Sequence, residues 1–471
     1  MKEFSVVKIM PYAVALAGSI LLLVWNVHSI DKMPMRIPGK EETDIQPVDE
    51  NALINLKGTL EKLNGVQAAL KGTWPRFRGE NFDAIFTDEQ VKLNKKWPAD
   101  GPKVLWTIDV GEGYAGAAIF QGRVYILDYD QKQAADTLRC LSLTDGKDIW
   151  RYSYPVKVKR NHGMSRTVPA VNNKYVVALG PKCHVTCLDS QTGEFRWAKD
   201  LVRQYGTKVP LWYAGQCPLI DEKNRAIIAP GGKNVLMMAV DCKTGEAVWK
   251  TPNPNQWKMT HSSIMPMEHN GRQIYVYCAN GGVVGVAAEN GKLLWQTDRW
   301  KISIANVPSP TIIDHERIFL SGGYNAGSMM IKIKENAEGS EFAYEAEELF
   351  RLKPSVFGAA QHTPILFGGH LYGVRPDEQM VCMNLNGEIL WASGSNHKFG
   401  IGPFMVANNL MFAMNDNGLL RLIEAAPTGY NQLAEARVLQ GHDSWGPMAF
   451  ADGRLIVRDL TKMTCLKVTE N

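Results

Sequence analysis

The sequence predicts an all-β fold, an eight-bladed β-propeller, from two repeating patterns. One is a glycine followed four residues later by a tryptophan, found at Gly146/Trp150, Gly193/Trp197, Gly245/Trp249, Gly291/Trp295 and Gly387/Trp391. The other is a proline before a short apolar run, found at positions 169, 218, 266, 310, 364, 403 and 447. Both series recur at roughly 40 to 50 residues, the length of a four-stranded blade.

Each copy of the first pattern predicts two strands joined by a tight turn. In the copy that ends at Trp197, Asp189 and Thr192 supply turn residues, and Gly193 can take the positive φ that a short hairpin requires. Each proline is expected at the first residue of a strand, because proline cannot donate to a sheet ladder.

Counting the units gives eight blades. We expect the first seven to end at or near Trp150, Trp197, Trp249, Trp295, Phe350, Trp391 and Val438. An eighth unit begins at Pro447 and lacks a last strand, which Lys103 to Asp109 could supply with Trp106 in the tryptophan position. A seven-bladed ring is the alternative, since the last two units carry the weakest patterns.

The propeller is assigned to residues 73–471, after two shorter segments. Residues 1–29 contain an uncharged apolar run over 9–25, which predicts a signal-anchor or transmembrane segment. Residues 30–72 form a linker with an amphipathic helix expected near 51–71, from the spacing of its leucines. We expect membrane attachment through residues 9–27, with cleavage of the segment as the alternative.

Charge and cysteine content exclude two classes of protein. With 52 basic and 48 acidic side chains the net charge is +4, so no nucleic acid or other polyanionic partner is predicted. Four of the eight cysteines, Cys140, Cys187, Cys382 and Cys465, occupy one slot of the repeat, which favours packing in the core over metal binding. A Cys183–Cys187 bridge stays open.

The phrase Leu188-Asp189-x-x-Thr192-Gly193-Glu194-x-x-Trp197 resembles the tryptophan-docking motif of the pyrroloquinoline-quinone-like propeller superfamily. The resemblance implies that each indole packs between neighbouring blades. The opening Trp74-Pro-Arg-Phe-Arg-Gly79 is also similar to exported members catalogued with the propeller subunit of the outer-membrane β-barrel assembly machinery.

Two branches of that superfamily imply different functions. The dehydrogenase branch holds pyrroloquinoline quinone and calcium in the central funnel beside a disulfide between adjacent cysteines, and this chain has no adjacent cysteines. The assembly branch is a docking platform for proteins. We therefore predict no cofactor, no metal and no catalytic residues, with quinone and calcium only under the alternative of an oxidoreductase.

The candidate ligand site lies where the chain enters each inner strand, because those positions surround one mouth of the channel. The candidates are His162, Arg166, Tyr213, His261, Gln361, His362, Asp443 and Trp445. Their rings and polar groups could bind a sugar or a peptide, and the three histidines could share a metal. The alternative is that they only cap strand ends.

The sequence as a whole predicts a non-catalytic scaffold of the bacterial cell envelope. We expect it to be anchored in the inner membrane with the propeller in the periplasm, and to bind envelope or membrane proteins. The alternative is a quinone- or metal-dependent oxidoreductase with its site in the funnel.

Overall fold

The computed structural model describes Leu16, Gly18, Ser19 and residues 54–470. The chain divides into two compact units, Met1–Leu53 and Ile54–Asn471. In the first, the three described residues are helical, and the rest of the predicted anchor lies outside the described residues. In the part of the chain that is described, no helix has both the length and the apolar character needed to cross a membrane.

The second unit is an eight-bladed propeller, as predicted, built from eight separate sheets. Four strands precede the first complete blade: β1 (Thr59–Lys62), β2 (Thr73–Trp74), β3 (Ile85–Phe86) and β4 (Lys103–Asp109). Blade 1 contains β5 (Ala118–Phe120), β6 (Arg123–Asp130), β7 (Ala135–Ser142) and β8 (Asp148–Pro155). Blade 2 contains β9 (Ala170–Val171), β10 (Tyr175–Leu179), β11 (His184–Asp189) and β12 (Phe195–Asp200).

A short helix, α1 (Leu201–Tyr205), follows blade 2. Blade 3 contains β13 (Leu219–Ile220), β14 (Arg225–Ile228), β15 (Val235–Asp241) and β16 (Ala247–Pro252). Blade 4 contains β17 (Met265–His269), β18 (Arg272–Ala279), β19 (Gly282–Ala287) and β20 (Leu293–Thr297). Blade 5 contains β21 (Thr311–Ile312), β22 (Arg317–Gly322), β23 (Gly327–Glu335) and β24 (Tyr344–Leu352).

The last three blades complete the ring. Blade 6 contains β25 (Ile365–Phe367), β26 (His370–Val374), β27 (Met380–Met383) and β28 (Ile389–Ala392). Blade 7 contains β29 (Phe404–Ala407), β30 (Leu410–Met414), β31 (Leu419–Glu424) and β32 (Gln432–Arg437). Blade 8 contains β33 (Ala449–Ala451), β34 (Arg454–Arg458) and β35 (Lys462–Lys467), and β4 is its fourth strand.

Ring closure joins the two ends of the propeller unit. Strand β4 pairs antiparallel with β35, with Asp109 opposite Lys462 and Lys103 opposite Lys467. The indole of Trp106 on β4 then donates to the carbonyl of Leu143 in blade 1. An early strand of the unit is therefore the outer edge of its last blade.

Tryptophans on the outer strands connect neighbouring blades in the same way. Four indole nitrogens donate to a main-chain carbonyl of the next blade: Trp150 to Gln191, Trp197 to Cys242, Trp249 to Ala288 and Trp391 to Ala426. The indole nitrogen of Trp295 is buried without a partner among the described residues. A Cβ added at Gly245 would lie 2.7 Å from the ring of Trp197. The recurring glycine therefore leaves room for the indole of the preceding blade to pack against its backbone.

The amphipathic helix predicted near 51–71 is wrong for the described residues from Ile54 onward. They run extended, and β1 pairs with the outer strand β8 of blade 1, with Thr59 opposite Ser153. Ile54, Leu56 and Leu60 are spaced by even numbers, so in a strand they share the face that packs on blade 1. The open edge of β8 supplies the hydrogen-bond partners that a helix would have made internally.

Residues 87–102 brace the joint between blades 7 and 8, where the tryptophan pattern is missing. The amide of Asn94 donates to the carbonyl of Val468, and Leu93 forms an isolated antiparallel β-bridge with Thr469. The ring of Trp97 stacks on Phe412 at 6.3 Å between centroids. The described chain before β4 thus replaces contacts that the repeat does not provide there.

Candidate functional site

The loops that lead into the inner strands surround one end of the central channel, which we call the mouth. Below it lies a cavity of about 380 Å³. Its polar and aromatic lining includes Tyr114, His162, Arg166, Trp212, His261, Tyr324, Gln361, His362 and Trp445 near the mouth. These residues come from different blades, and the closed ring brings them together.

Residues 73–86, which we call the floor segment, lie inside the channel against its inner strands. It begins as β2, which pairs with the inner strand β5 of blade 1, and ends as β3, which pairs parallel with the inner strand β29 of blade 7. Between them the carbonyl of Pro75 accepts from the amide of Val171 in blade 2. Trp74, Phe77 and Ala84 of this segment line the cavity.

Arg78 fixes the floor segment across the axis. Its guanidinium donates to the carbonyls of Thr363 and Pro364 in blade 6, and to those of Phe82 and Asp83 in its own segment. The side chain is buried, and burial lowers the pKa of Arg78 to about 10, so it stays charged at neutral pH. Among the described residues, the guanidinium donates to four main-chain carbonyls and to no carboxylate, although the charge of Asp83 lies nearby.

A chain of hydrogen bonds connects the entrances of the inner strands from blade 2 to blade 6. Each bond runs from a main-chain amide to the side chain that holds the same position in the next blade: Val168 to Cys217, Cys217 to Ser263, Ser263 to Ser309 and Ser309 to Thr363. In blades 7 and 8 the residue before the proline is Gly402 or Gly446, which has no side chain to take part. The cavity wall is thus linked side to side over half of the ring.

The structure brings six of the eight predicted site residues to the cavity. They are His162, Arg166, His261, Gln361, His362 and Trp445. Tyr213 is not part of the cavity lining, and its hydroxyl donates to the carbonyl of Lys159. Asp443 lies beside the mouth, where its carboxylate accepts from the hydroxyl of Tyr114.

Two of these histidines are buried and neutral at physiological pH. Burial lowers the pKa of His261 and of His362 to about 4. Their exposed fractions are 9% and 8%. Nε2 of His261 is buried without a hydrogen-bond partner among the described residues, and the main-chain amides of Ile401 and Gly402 interact with the imidazole of His362. These nitrogens have almost no accessible surface, so the two imidazoles are part of the packed cavity wall.

Arg166 is the second guanidinium of the cavity. It donates to the carbonyls of Asn161, His162, Gly163 and Met164, which orders the loop that enters blade 2. Its charge also lies over the ring of Tyr114, 5.4 Å from the centroid. Burial lowers the pKa of Arg166 to about 10, which leaves it protonated at neutral pH.

The aromatic side chains at the mouth come from opposite parts of the propeller. Trp212, in the loop entering blade 3, stacks on Tyr324 of blade 5 with centroids 6.2 Å apart and planes 12° from parallel. Trp445 lies 5.0 Å from Tyr114, and its indole nitrogen donates to Asp416. The opening is narrowed by rings on two sides.

Sequence reasoning missed the floor segment and Tyr324 as parts of this site. The signal for the floor was present in Trp74-Pro-Arg-Phe-Arg-Gly79, which carries two aromatics and two arginines outside the repeats. Its position across the axis depends on pairing with blade 7, whose strand β29 lies more than 300 positions away in the chain. No local pattern encodes that contact.

The predicted possibility of a metal shared by His162, His261 and His362 has no geometric support in the described part of the chain. There, no three histidine, cysteine, aspartate or glutamate side chains are grouped as metal ligands. The eight cysteines, all within that part, are buried and unpaired, including Cys183 and Cys187.

Comparison with known proteins gives the relationship of the chain. The sequence model of the family described as outer membrane protein assembly factor BamB matches residues 134–393, more than half of the chain. No curated protein sequence matches.

Solved structures share the fold at low identity. BamB from Moraxella catarrhalis aligns with a TM-score of 0.53 and 13% identity, covering 78% of this chain and 99% of that one. The quinohemoprotein alcohol dehydrogenase from Comamonas testosteroni aligns with a TM-score of 0.44 and 13% identity, covering 85% of this chain and 81% of that one. The computationally designed Ika8 protein aligns with a TM-score of 0.49 and 10% identity, over 77% and 99% of the two chains.

Proposed function

The chain belongs to the family of the outer membrane protein assembly factor BamB, and from this membership we propose that it is a non-catalytic interaction platform of the cell envelope that supports the assembly of outer-membrane proteins. The observation that carries the proposal is the family match over residues 134–393. That range runs from β7 of blade 1 to β28 of blade 6, which contain the regular repeats.

The mouth face offers a surface on which a partner protein can dock. Leu211, Ile304 and Tyr324 lie in loops of this face with exposed fractions of 66%, 54% and 45%. Large apolar side chains exposed together on one face are characteristic of protein interaction sites. The partner class we propose is a protein of the envelope assembly pathway.

We also propose a cellular location for this protein. We propose that the apolar run at 9–25 directs the chain out of the cytoplasm and that the propeller acts in the periplasm, where an assembly factor for outer-membrane proteins would meet its clients. Inner-membrane attachment through residues 9–27 is part of this proposal. Fractionation of cells that express the full chain, with and without residues 1–29, tests it, and recovery of the full chain in the cytosol would contradict it.

The experiment that tests the function is depletion of the protein in its own organism. We expect the amounts of folded outer-membrane β-barrel proteins to fall while soluble periplasmic proteins stay constant. Complementation with Leu211→Glu and Ile304→Glu combined should fail, because two charges on the docking surface oppose an apolar contact.

A matched control variant lies on the rim of the ring. Val248 is 51% exposed on the outer strand β16, so Val248→Glu adds a similar charge away from the mouth. We expect this variant to complement fully. Unchanged β-barrel levels after depletion, or equal complementation by both variants, would refute the proposed function or the proposed surface respectively.

A further inference from the structure

Two cysteines from neighbouring blades meet at the junction of blades 2 and 3. Cys187 lies on β11 of blade 2, and Cys242 lies in the turn between β15 and β16 of blade 3. The thiol of Cys187 donates to the main-chain carbonyl of Cys242, with sulfur and oxygen 3.5 Å apart. Both side chains are fully buried in one apolar cluster, and neither lines the central cavity.

The two thiols also interact directly. Burial, and after it a hydrogen bond and a charge interaction with the thiol of Cys242, raises the pKa of Cys187 well above its ordinary value. The pKa of Tyr175, on β10, is raised by burial and then by the charges of Cys242 and Cys187, so its hydroxyl lies near both sulfurs. These contacts place the two sulfurs side by side across the blade junction.

The repeat explains why these side chains meet. In each blade, one residue pairs in the sheet with the docking tryptophan, and it faces a residue that lies three positions before the recurring glycine of the next blade. At three successive junctions the two positions are occupied by Cys140 and Ser190, by Cys187 and Cys242, and by Ala239 and Ala288. Among these junctions, the one between blades 2 and 3 has a cysteine on both sides.

The nearby Cys183 is not a partner for Cys187. The chain is extended over His184–Asp189, so the Cα atoms of the two cysteines are separated by roughly 10 Å or more. A disulfide requires a Cα separation below about 7 Å. The sulfur of Cys183 instead lies 3.8 Å from Sδ of Met259. The bridge between Cys183 and Cys187 that the sequence left open is therefore excluded by the strand geometry.

We propose that Cys187 and Cys242, which are free thiols in this structure, are a redox pair that forms a disulfide between blades 2 and 3. The oxidant is a small-molecule disulfide such as glutathione disulfide. The thiolate of one cysteine attacks it and releases one glutathione thiolate, and the thiolate of the other cysteine attacks the mixed disulfide and releases the second. The protein loses two protons and two electrons, which the two released glutathione molecules carry away.

The bridge would fasten the junction at the point where a tryptophan docks. The carbonyl of Cys242 also accepts from the indole of Trp197, so the link joins the same two segments covalently. It closes a loop of 55 positions, and closing a loop restricts the unfolded chain. The bridged protein should therefore be more stable than the reduced one. The inference rests on the proposed periplasmic location for its oxidising surroundings, whereas the pairing of the thiols is independent of location.

The first test treats the purified full chain with glutathione disulfide, in buffer and in urea below the unfolding midpoint, where local opening exposes buried groups. Remaining thiols are then alkylated under denaturing conditions and the protein is digested with trypsin. We expect peptides 183–196 and 234–243 to be recovered as one species, about 2 Da lighter than the sum of the two reduced peptides. Recovery of both peptides unlinked under both conditions would overturn the inference.

Two variants identify the linked cysteine, because peptide 183–196 contains both Cys183 and Cys187. Cys187→Ala should abolish the linked species. Cys183→Ala is the matched control and should retain it, since it removes a buried thiol from the same peptide and the same cluster. A linked species that persists in Cys187→Ala and disappears in Cys183→Ala would overturn the proposed pairing.

Stability shows whether the link fastens the junction. The urea midpoint of the oxidised native protein should lie above that of the reduced protein, and the two midpoints should coincide in Cys187→Ala. Equal midpoints in the native protein would contradict the fastening role.

Trapping the thiols in intact cells, by acid quenching and alkylation, separates this inference from the proposed function. A link that forms in the purified protein but is absent from the trapped protein would contradict the proposed location and support the redox pair.

Discussion

The ring consists of two arcs that are held together by different means. In blades 2 to 6, side chains at the strand entrances accept hydrogen bonds from the preceding blade, from Val168 through Thr363. In blades 7, 8 and 1, the floor segment bridges the inner strands instead, with Phe86 packed on Phe450 of blade 8 at 4.5 Å. The first arc is stabilised by its own repeats, and the second by a segment that precedes the repeats.

The glycines of the second arc explain why its repeats cannot do the same. A Cβ at Gly402 would lie 2.3 Å from the carbonyl oxygen of Met414, and one at Gly446 would lie 2.5 Å from the side chain of Arg458. No side chain fits at either entrance. In this propeller, blades 7 and 8 have the weakest sequence repeats, and another segment of the chain packs against them.

The largest effect is expected in the first arc, from Trp249→Ala. The indole is 7% exposed and donates to Ala288 of blade 4, so its loss should lower the free energy of unfolding by about 4 kcal/mol. Trp97→Ala, in the second arc, removes a partly exposed ring and should cost about half as much. Urea denaturation followed by circular dichroism measures both, and a larger loss for Trp97→Ala would reverse the proposed contrast.

The second prediction breaks the bridge of the second arc. Arg78→Ala removes four hydrogen bonds from a buried guanidinium and leaves carbonyls of blade 6 unpaired, which should cost about 3 kcal/mol. Arg76→Ala, two residues away in the same segment, should cost less than about 1 kcal/mol, because Arg76 is only partly buried. Equal costs in the same urea assay would mean that the segment, and not Arg78, forms the bridge.

The third prediction cuts one link of the hydrogen-bond chain. Ser309→Ala leaves the amide of Ser263 without its partner in a buried wall and should cost about 1.5 kcal/mol. Ser340→Ala, in the exposed connection of blade 5, should be neutral. Increased hydrogen exchange at Ser263 in Ser309→Ala, read by mass spectrometry, would locate the effect, and unchanged exchange would contradict the link.

The smallest effect is a pH dependence at the cavity. His362 has a pKa of about 4 when folded and about 6.5 when unfolded, so between these values the unfolded chain binds the extra proton. The stability due to the neutral imidazole is present above pH 6.5 and is lost as the pH falls towards 4. His362→Gln removes this loss, so the variant should gain about 1.2 kcal/mol on the native protein between pH 7 and pH 5.5.

Other titrating groups cancel in that comparison because both proteins contain them. Burial lowers the pKa of His184 and of His261 to about 4, and raises the pKa of Asp136 to about 7, which acts in the opposite direction. The measurement is therefore the difference between urea midpoints of the two proteins at each pH. A constant difference from pH 7 to pH 4 would show that His362 does not titrate as inferred.

The sequence predicted the eight-bladed ring because each blade repeats a local pattern, and spacing alone locates such patterns. The helix predicted over residues 54–71 was wrong, because the same leucine spacing is compatible with a strand. The open edge of β8 pairs with β1 and so favours the strand. Six of the eight candidate residues line the cavity, since strand entrances follow from the repeat. The floor of the cavity could not be predicted, because Arg78 is bound to Thr363 from 285 positions away.

The pairing of β4 with β35 sets the order in which the molecule can be completed. The side chain of Asp109 meets Lys462 across 353 positions of the chain, and the amide of Gly72 meets Asp452 across 380. Neither contact can form until Asp452 and Lys462 have been synthesised. Until then β4 has an unpaired edge with which strands of other chains can pair, and such pairing leads to aggregation. The ring can therefore close only after β35 has been synthesised, although β4 is made before the first complete blade.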